Sequence, residues 1–277
     1  MRRDSERHSL TGDDRAIGVF DSGIGGLTVV QEITRVLPNE QIVYFGDTAR
    51  VPYGTKSREA VIRFSRDNVR VLLKERVKMI VIACNTSTSW ALAILRREFD
   101  LPIIGVIEPG SRRAIEVSAK GRIGVIATPS TVNSGKYVQT ILKLSPAAKV
   151  FARACPLFVP LVEEGWLDKS VTEDVAQEYL APLKAERIDT LILGCTHYPL
   201  LKPVLQKVMG RGVVLIDSAA ETAREVKKLL EAKGLVRLNR RPPHHAFLVS
   251  DEPEHFRGVA KRFLGQDLPH VRRVDHV

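Results

Sequence analysis

The chain has 277 residues, 44% hydrophobic and 27% charged, with a formal net charge of +10. That length and balance predict a soluble globular protein with room for two domains. They exclude a membrane protein, since no apolar run approaches the roughly 18–20 residues a span requires.

Residues 1–15 are charged and lack the apolar stretch of a secretory signal, which predicts a mobile extension on a cytoplasmic protein. Ile17–Phe20 reads as a strand, Gly23–Gly26 as a turn, and Leu27–Val36 as a short helix stopped near Pro38. Gln41–Phe45 is a second strand, followed by a polar loop over 46–55. A helix over 56–74 places Val61, Phe64 and Leu72 on one face. Met79–Ala83 is a buried strand ending at Cys84, followed by a helix over 87–98 and a strand over 103–106. Glu108-Pro109-Gly110-Ser111 interrupts the periodicity and is the expected crossing into a second domain.

The second half opens on strand Ile123–Ala127 and closes on strand Val213–Ile216. Ser170-Val-Thr-Glu173 and Ser218-Ala-Ala-Glu221 each read as a capping box. The second starts a helix with Ala223, Val226 and Leu230 on one face, stopped by Gly234. A last strand, Ala246–Ser250, and a helix carrying Phe256, Val259, Ala260 and Phe263 return to complete the first domain. The alternation predicts an α/β protein: two pseudo-symmetric domains with mainly parallel sheets flanked by helices, and an active site in the cleft between them. The expected division is 1–108 plus 219–277 for the first domain and 109–218 for the second.

Two features repeat at nearly the same offset. Ile17-Gly-Val-Phe-Asp-Ser22 resembles Ile123-Gly-Val-Ile-Ala-Thr128, and Cys84 in MIVIACNTST resembles Cys195 in TLILGCTHYP. Each cysteine follows a β-branched run and precedes polar residues, so two related halves each place one thiol at a strand end. Two opposed thiols suit the inversion of a stereocentre: one removes a proton from carbon while the other delivers one to the opposite face. Such chemistry requires no metal or cofactor in principle, provided preorganised donors stabilise the carbanion. Asp21 and His197 are the natural auxiliaries, one near each thiol.

Cys155 lacks the shared pattern and reads as a small buried residue. With three cysteines and no CxxC or zinc-type spacing, reduced thiols are the expectation, and His244-His245 read as surface residues. Gly23-Ile-Gly25-Gly26-Leu-Thr28, with Asp47 as a ribose acceptor, makes an imperfect dinucleotide fingerprint that leaves a nucleotide-dependent oxidoreductase open. The net charge leaves nucleic-acid binding open as well, but Arg240-Arg241 and Arg272-Arg273 are short pairs without interleaved aromatics. A solvated basic face accounts for them better.

The segments IGVFDSGIGGLTV (17–29), YFGDTARVPYG (44–54), IACNTST (82–88), CPLFVPLVEEG (155–165) and LGCTHYPLL (193–201) resemble the glutamate racemases of the cofactor-independent Asp/Glu racemase superfamily. The resemblance implies interconversion of L- and D-glutamate for bacterial peptidoglycan, without pyridoxal phosphate or metal, in a cytoplasmic protein that is commonly a homodimer. Aspartate racemisation is the nearest alternative it leaves. It implies that Cys84 acts on the D-enantiomer and Cys195 on the L-enantiomer, with Asp21, Glu163 and His197 supporting proton transfer. Asp21-Ser22, Tyr53-Gly54, Asn85-Thr86 and Thr196-His197 match its substrate-binding pairs.

Overall fold

The computed structural model describes residues 12–265, 267–268 and 270–275. The apolar runs of the first half form β1 (Ile17–Asp21), β2 (Ile42–Gly46), β3 (Met79–Ile82) and β4 (Ile103–Gly105). All their residues are buried, as parallel strands covered on both faces must be. They alternate with α1 (Leu27–Val36), α2 (Arg58–Lys74) and α3 (Asn85–Glu98). Helix α4 (Ile107–Val117) leads into the second half, with β5 (Arg122–Ala127), β6 (Lys149–Ala154), β7 (Thr190–Gly194) and β8 (Val214–Asp217). Its helices are α5 (Pro129–Asn133), α6 (Lys136–Leu144), α7 (Phe158–Glu163), α8 (Ser170–Ala185) and α9 (Lys202–Met209). Then follow α10 (Ser218–Lys233), β9 (Ala246–Val249), α11 (Pro253–Leu264) and β10 (Val271–Arg273).

Two sheets result, ordered β10-β9-β2-β1-β3-β4 and β6-β5-β7-β8, and every strand pair among the described residues is parallel. The order β2-β1-β3-β4 is the same as β6-β5-β7-β8. The repeat seen in two motifs therefore extends to a whole four-stranded sheet, and β3 and β7 occupy equivalent places beside the central strands. The returning strand β9 pairs with β2 in the first sheet, as expected, and β10 extends that edge.

Several boundaries differ for local physical reasons. Helix α3 starts two residues early because the Cys84 sulfur caps it, accepting from the Ser87 N–H at 3.4 Å. Glu108–Ser111 is not a break but the first turns of α4: Pro109 sits where an N–H has no partner in the helix anyway. Neither expected serine is the N-cap, which lies one residue earlier in both helices. Lys169 precedes α8 without a side-chain cap, and Asp217 caps α10 by accepting from Ala219 N–H at 2.9 Å. The loop over 46–55 holds two short 3₁₀ turns, Thr48–Arg50 and Tyr53–Thr55. Gly234 ends α10 in the left-handed conformation that glycine permits.

The expected N-terminal extension falls mostly on residues 1–11, outside the described residues. Its last part is tied down: the buried Lys78 ammonium donates to the carbonyls of Asp13 and Leu235 and pairs with Glu40 at 2.6 Å. Glu40 in turn accepts from the Arg237 N–H, so the start of the domain and the segment after α10 share one buried ionic knot. No helix among the described residues is long and apolar enough to cross a membrane.

Candidate active site

The carboxyl ends of β1, β3, β5 and β7 face a cavity of about 340 Å³. Ser22, Tyr53, Gly54, Cys84, Asn85, Thr86, Glu163, Cys195, Thr196 and His197 all line it, so ten of the eleven candidate residues meet there. Asp21 is the exception. It is fully buried behind the wall, where its Oδ2 accepts from the backbone N–H groups of Gly23 (3.2 Å) and Gly26 (3.1 Å). The glycine turn that resembled a phosphate cradle thus wraps the protein's own carboxylate. Asp47 does not serve a ribose either: fully buried, it binds Arg50, the Tyr53 hydroxyl and the Ser250 hydroxyl. Both halves of the dinucleotide reading are consumed by internal hydrogen bonds.

Cys84 is 5% exposed at the first turn of α3. Burial pushes its thiol up, and the neighbouring Asp21 carboxylate adds to the effect, to about 11. The Ser87 N–H and the Ser87 and Ser22 side chains pull the other way by favouring the thiolate. Burial raises the Asp21 carboxyl too, opposed by the charge of His197 and the glycine N–H donors.

Cys195, 8% exposed, has a different partner. Its sulfur lies 3.8 Å from His197 Nδ1, and His197 Nε2 lies 2.9 Å from Glu163 Oε1. Burial works against charge on His197, yet its hydrogen bonds and attraction to Cys195 and Glu163 outweigh that and lift the imidazole to about 10. An imidazolium fits both neighbours, because both ring nitrogens then donate. The ring is held edge-on by Phe263 of α11, with centroids 5.5 Å apart. Glu163, 45% exposed at the end of α7, reaches the site through His197.

The rest of the wall is polar and fixed. The Thr86 hydroxyl lies 3.1 Å from that of Thr128 and 3.0 Å from that of Thr131, joining the α3 start to the β5 end. Tyr137 of α6 donates to Asn85 Oδ1 at 2.6 Å, which leaves Asn85 Nδ2 buried without a partner beside the cavity. Tyr53 commits its phenol to Asp47 and Asn68, so only its backbone is available to a ligand. Thr131 and Tyr137 were not among the expected residues, and Thr128 stood only as the last residue of the repeated motif. Thr128 had a signal, being the counterpart of Ser22 in the repeated motif; Tyr137 had none, because its partner is across the cleft. Cys155 is fully buried, its thiol pushed up by burial, and it does not line the cavity.

The charged state of His197 has a stability consequence. Its folded value of about 10 exceeds the ordinary 6.5, so its contribution is complete below pH 6.5 and is lost as pH rises toward 10. The urea midpoint is expected to fall across that window, and His197→Asn to flatten the fall between pH 6.5 and 9. Equal slopes in both proteins would show that His197 is not charged. Above pH 9 the raised Cys84 thiol adds a loss of the same sign.

A family model described as Asp/Glu/Hydantoin racemase matches residues 17–226. A protein named glutamate racemase from Geobacter metallireducens is 50% identical over 94% of this chain and 96% of its own length. A glutamate racemase isoform from Bacillus anthracis superposes with a TM-score of 0.91 at 43% identity, covering 94% of this chain and 97% of its own. The glutamate racemase of Francisella tularensis, crystallised with D-glutamate, has a TM-score of 0.89 at 41% identity over 95% and 98% of the two chains.

Proposed function

The chain belongs to the Asp/Glu/hydantoin racemase family, and from that premise we propose that it interconverts L- and D-glutamate by a two-cysteine proton transfer. The observation that carries the mechanism is the presence of Cys84 and Cys195 on one cavity, each just beyond an equivalent strand of a repeated sheet.

Cys195 takes the Cα proton of L-glutamate as Cys84 delivers one to the opposite face; for D-glutamate the roles reverse. His197, beside the Cys195 sulfur and oriented by Glu163, exchanges the proton on that side. Asp21 acts on Cys84, and its negative charge keeps that thiol protonated until a proton is needed. The substrate's two carboxylates and ammonium are held by the Ser22, Thr86 and Thr196 hydroxyls, the backbone of Tyr53 and Gly54, and the Asn85 amide. Asn85 Nδ2, beside the cavity, is a buried polar atom with no partner. Such atoms are costly unless a ligand completes them. Fixed donors around the developing carbanion lower the barrier because they need no reorganisation.

The proposal places Cys84 in a domain of residues 1–108 and 219–277, and Cys195 in one of residues 109–218. It extends to a cofactor-free, cytoplasmic homodimer that supplies D-glutamate for peptidoglycan.

The test is incubation of dialysed protein with L-glutamate in deuterated water. D-Glutamate carrying deuterium at Cα is expected, while the L-glutamate recovered early stays protiated, because different sulfurs serve the two faces. Unchanged optical rotation would end the reading, and faster inversion of L-aspartate under the same conditions would reassign the substrate.

A further inference from the structure

Three of the buried polar atoms left without a partner, Asp21 Oδ1, Asn85 Nδ2 and Ser87 Oγ, belong to residues at this site. The first two belong to the proposed proton-transfer and binding groups. Ser87 does not: it is fully buried, absent from the cavity wall, and matched by no role in the proposed mechanism.

Its place in the helix explains what it does. Cys84 is the N-cap of α3, and Ser87 is the third residue of the helix proper, so the Ser87 N–H points back at the sulfur, 3.4 Å away. A glutamate or glutamine at this position would reach the N-cap backbone, as in a capping box. Serine is too short for that. Its hydroxyl has no hydrogen-bond partner in this structure, yet it belongs to the groups that favour a charged sulfur on Cys84. We propose that Ser87 is the positioning residue of Cys84: its hydroxyl rotates to donate to the thiolate and, with its own N–H, forms a two-donor cradle that appears only when the sulfur is charged.

The surroundings leave the thiolate little other help. Among the described residues, the titratable groups facing Cys84 are Asp21 from β1 and Tyr44 from β2, with Tyr53 packed against it. Both phenols are pushed well above their ordinary range by burial and stay neutral. Asp21 opposes a negative sulfur. Ser22 adds a further hydroxyl. The two half-sites therefore differ in kind: Cys195 has an imidazole–carboxylate pair, whereas Cys84 has neutral donors from its own helix start and from Ser22.

This inference deepens the two-cysteine reading and rests on it for its catalytic meaning, yet it can be tested without turnover. The enantiomers have equal free energy, so kcat/KM must change equally in both directions and cannot assign an effect to one sulfur. Site-resolved alkylation can. The full-length protein and Ser87→Ala are treated with iodoacetamide from pH 7 to 11, and the Cys84 and Cys195 peptides are followed by mass spectrometry.

Loss of the hydroxyl is expected to slow Cys84 alkylation at pH 8 by about 3–10-fold, a shift of roughly half to one pH unit. The Cys195 profile stays unchanged, and Ser87→Thr, which keeps a hydroxyl, stays closer to wild type than Ser87→Ala. An unaltered Cys84 profile, or equal shifts at both cysteines, would overturn the assignment. Glutamate racemisation by the unsubstituted protein, measured in parallel, separates failure of the function from failure of the Ser87 role.

Discussion

Cys84→Ser and Cys195→Ser should each lower glutamate racemisation by about 10³-fold or more, the scale expected when a positioned acid or base is lost. Serine nearly preserves size, so the cavity persists, but its hydroxyl is a far weaker acid and cannot act as a charged base near neutral pH. Either substitution removes one face of the reaction, and inversion needs both. Circular dichroism of the amino acid follows the loss, and the far-ultraviolet spectrum of the protein confirms the fold. Cys155→Ala is the matched control: Cys155 is buried away from the cavity, so its loss should leave the rate within a few-fold of wild type. Full activity in either active-site variant would refute the two-base scheme.

The second large effect is expected at a residue with no functional atom. A Cβ added to Gly25 would lie 2.2 Å from Thr196 Oγ1 and 2.6 Å from His197 Nδ1. Those side chains would have to move, and His197 would leave its place between Cys195 and Glu163. Gly25→Ala should therefore lower kcat/KM by about 10²-fold, the cost of a displacement near 1 Å in a reacting geometry. Gly25 has no left-handed backbone conformation, so the effect is steric rather than a matter of backbone strain. Gly212→Ala, facing open space, should leave the kinetics unchanged. Wild-type kinetics in Gly25→Ala would show that His197 does not need this position.

Much of the architecture was readable because it depends on local chemistry. β-Branched runs ended by polar residues marked β1, β2, β3, β5 and β7, and a parallel sheet gathers the carboxyl ends of such strands on one side. The strand β6 escaped notice because its residues, Lys149–Ala154, are partly exposed and carry charges. Helix α4 was misread as a break because proline and glycine ordinarily end a helix, whereas the first turn tolerates proline. The capping box at Ser218 failed by one position since Asp217, at the strand end, reaches the helix amides before Ser218 can, whereas Lys169 at the start of α8 has no side-chain acceptor to offer.

The site divides in the same way. The sequence by itself determined the chemical types and their repetition: two thiols after equivalent strands, a carboxylate and an imidazole near them, and hydroxyls to receive an anion. Only the tertiary structure decided which partners each group keeps. It buried Asp21 behind the wall with two glycine N–H donors, spent Asp47 on Tyr53 and Arg50, set Glu163 against His197, and pinned Asn85 from Tyr137 across the cleft. The physical reason is range. Strand endings and helix caps are set by neighbours a few residues apart, whereas the charge of a buried group depends on every side chain that excludes water from it, whatever its distance along the chain.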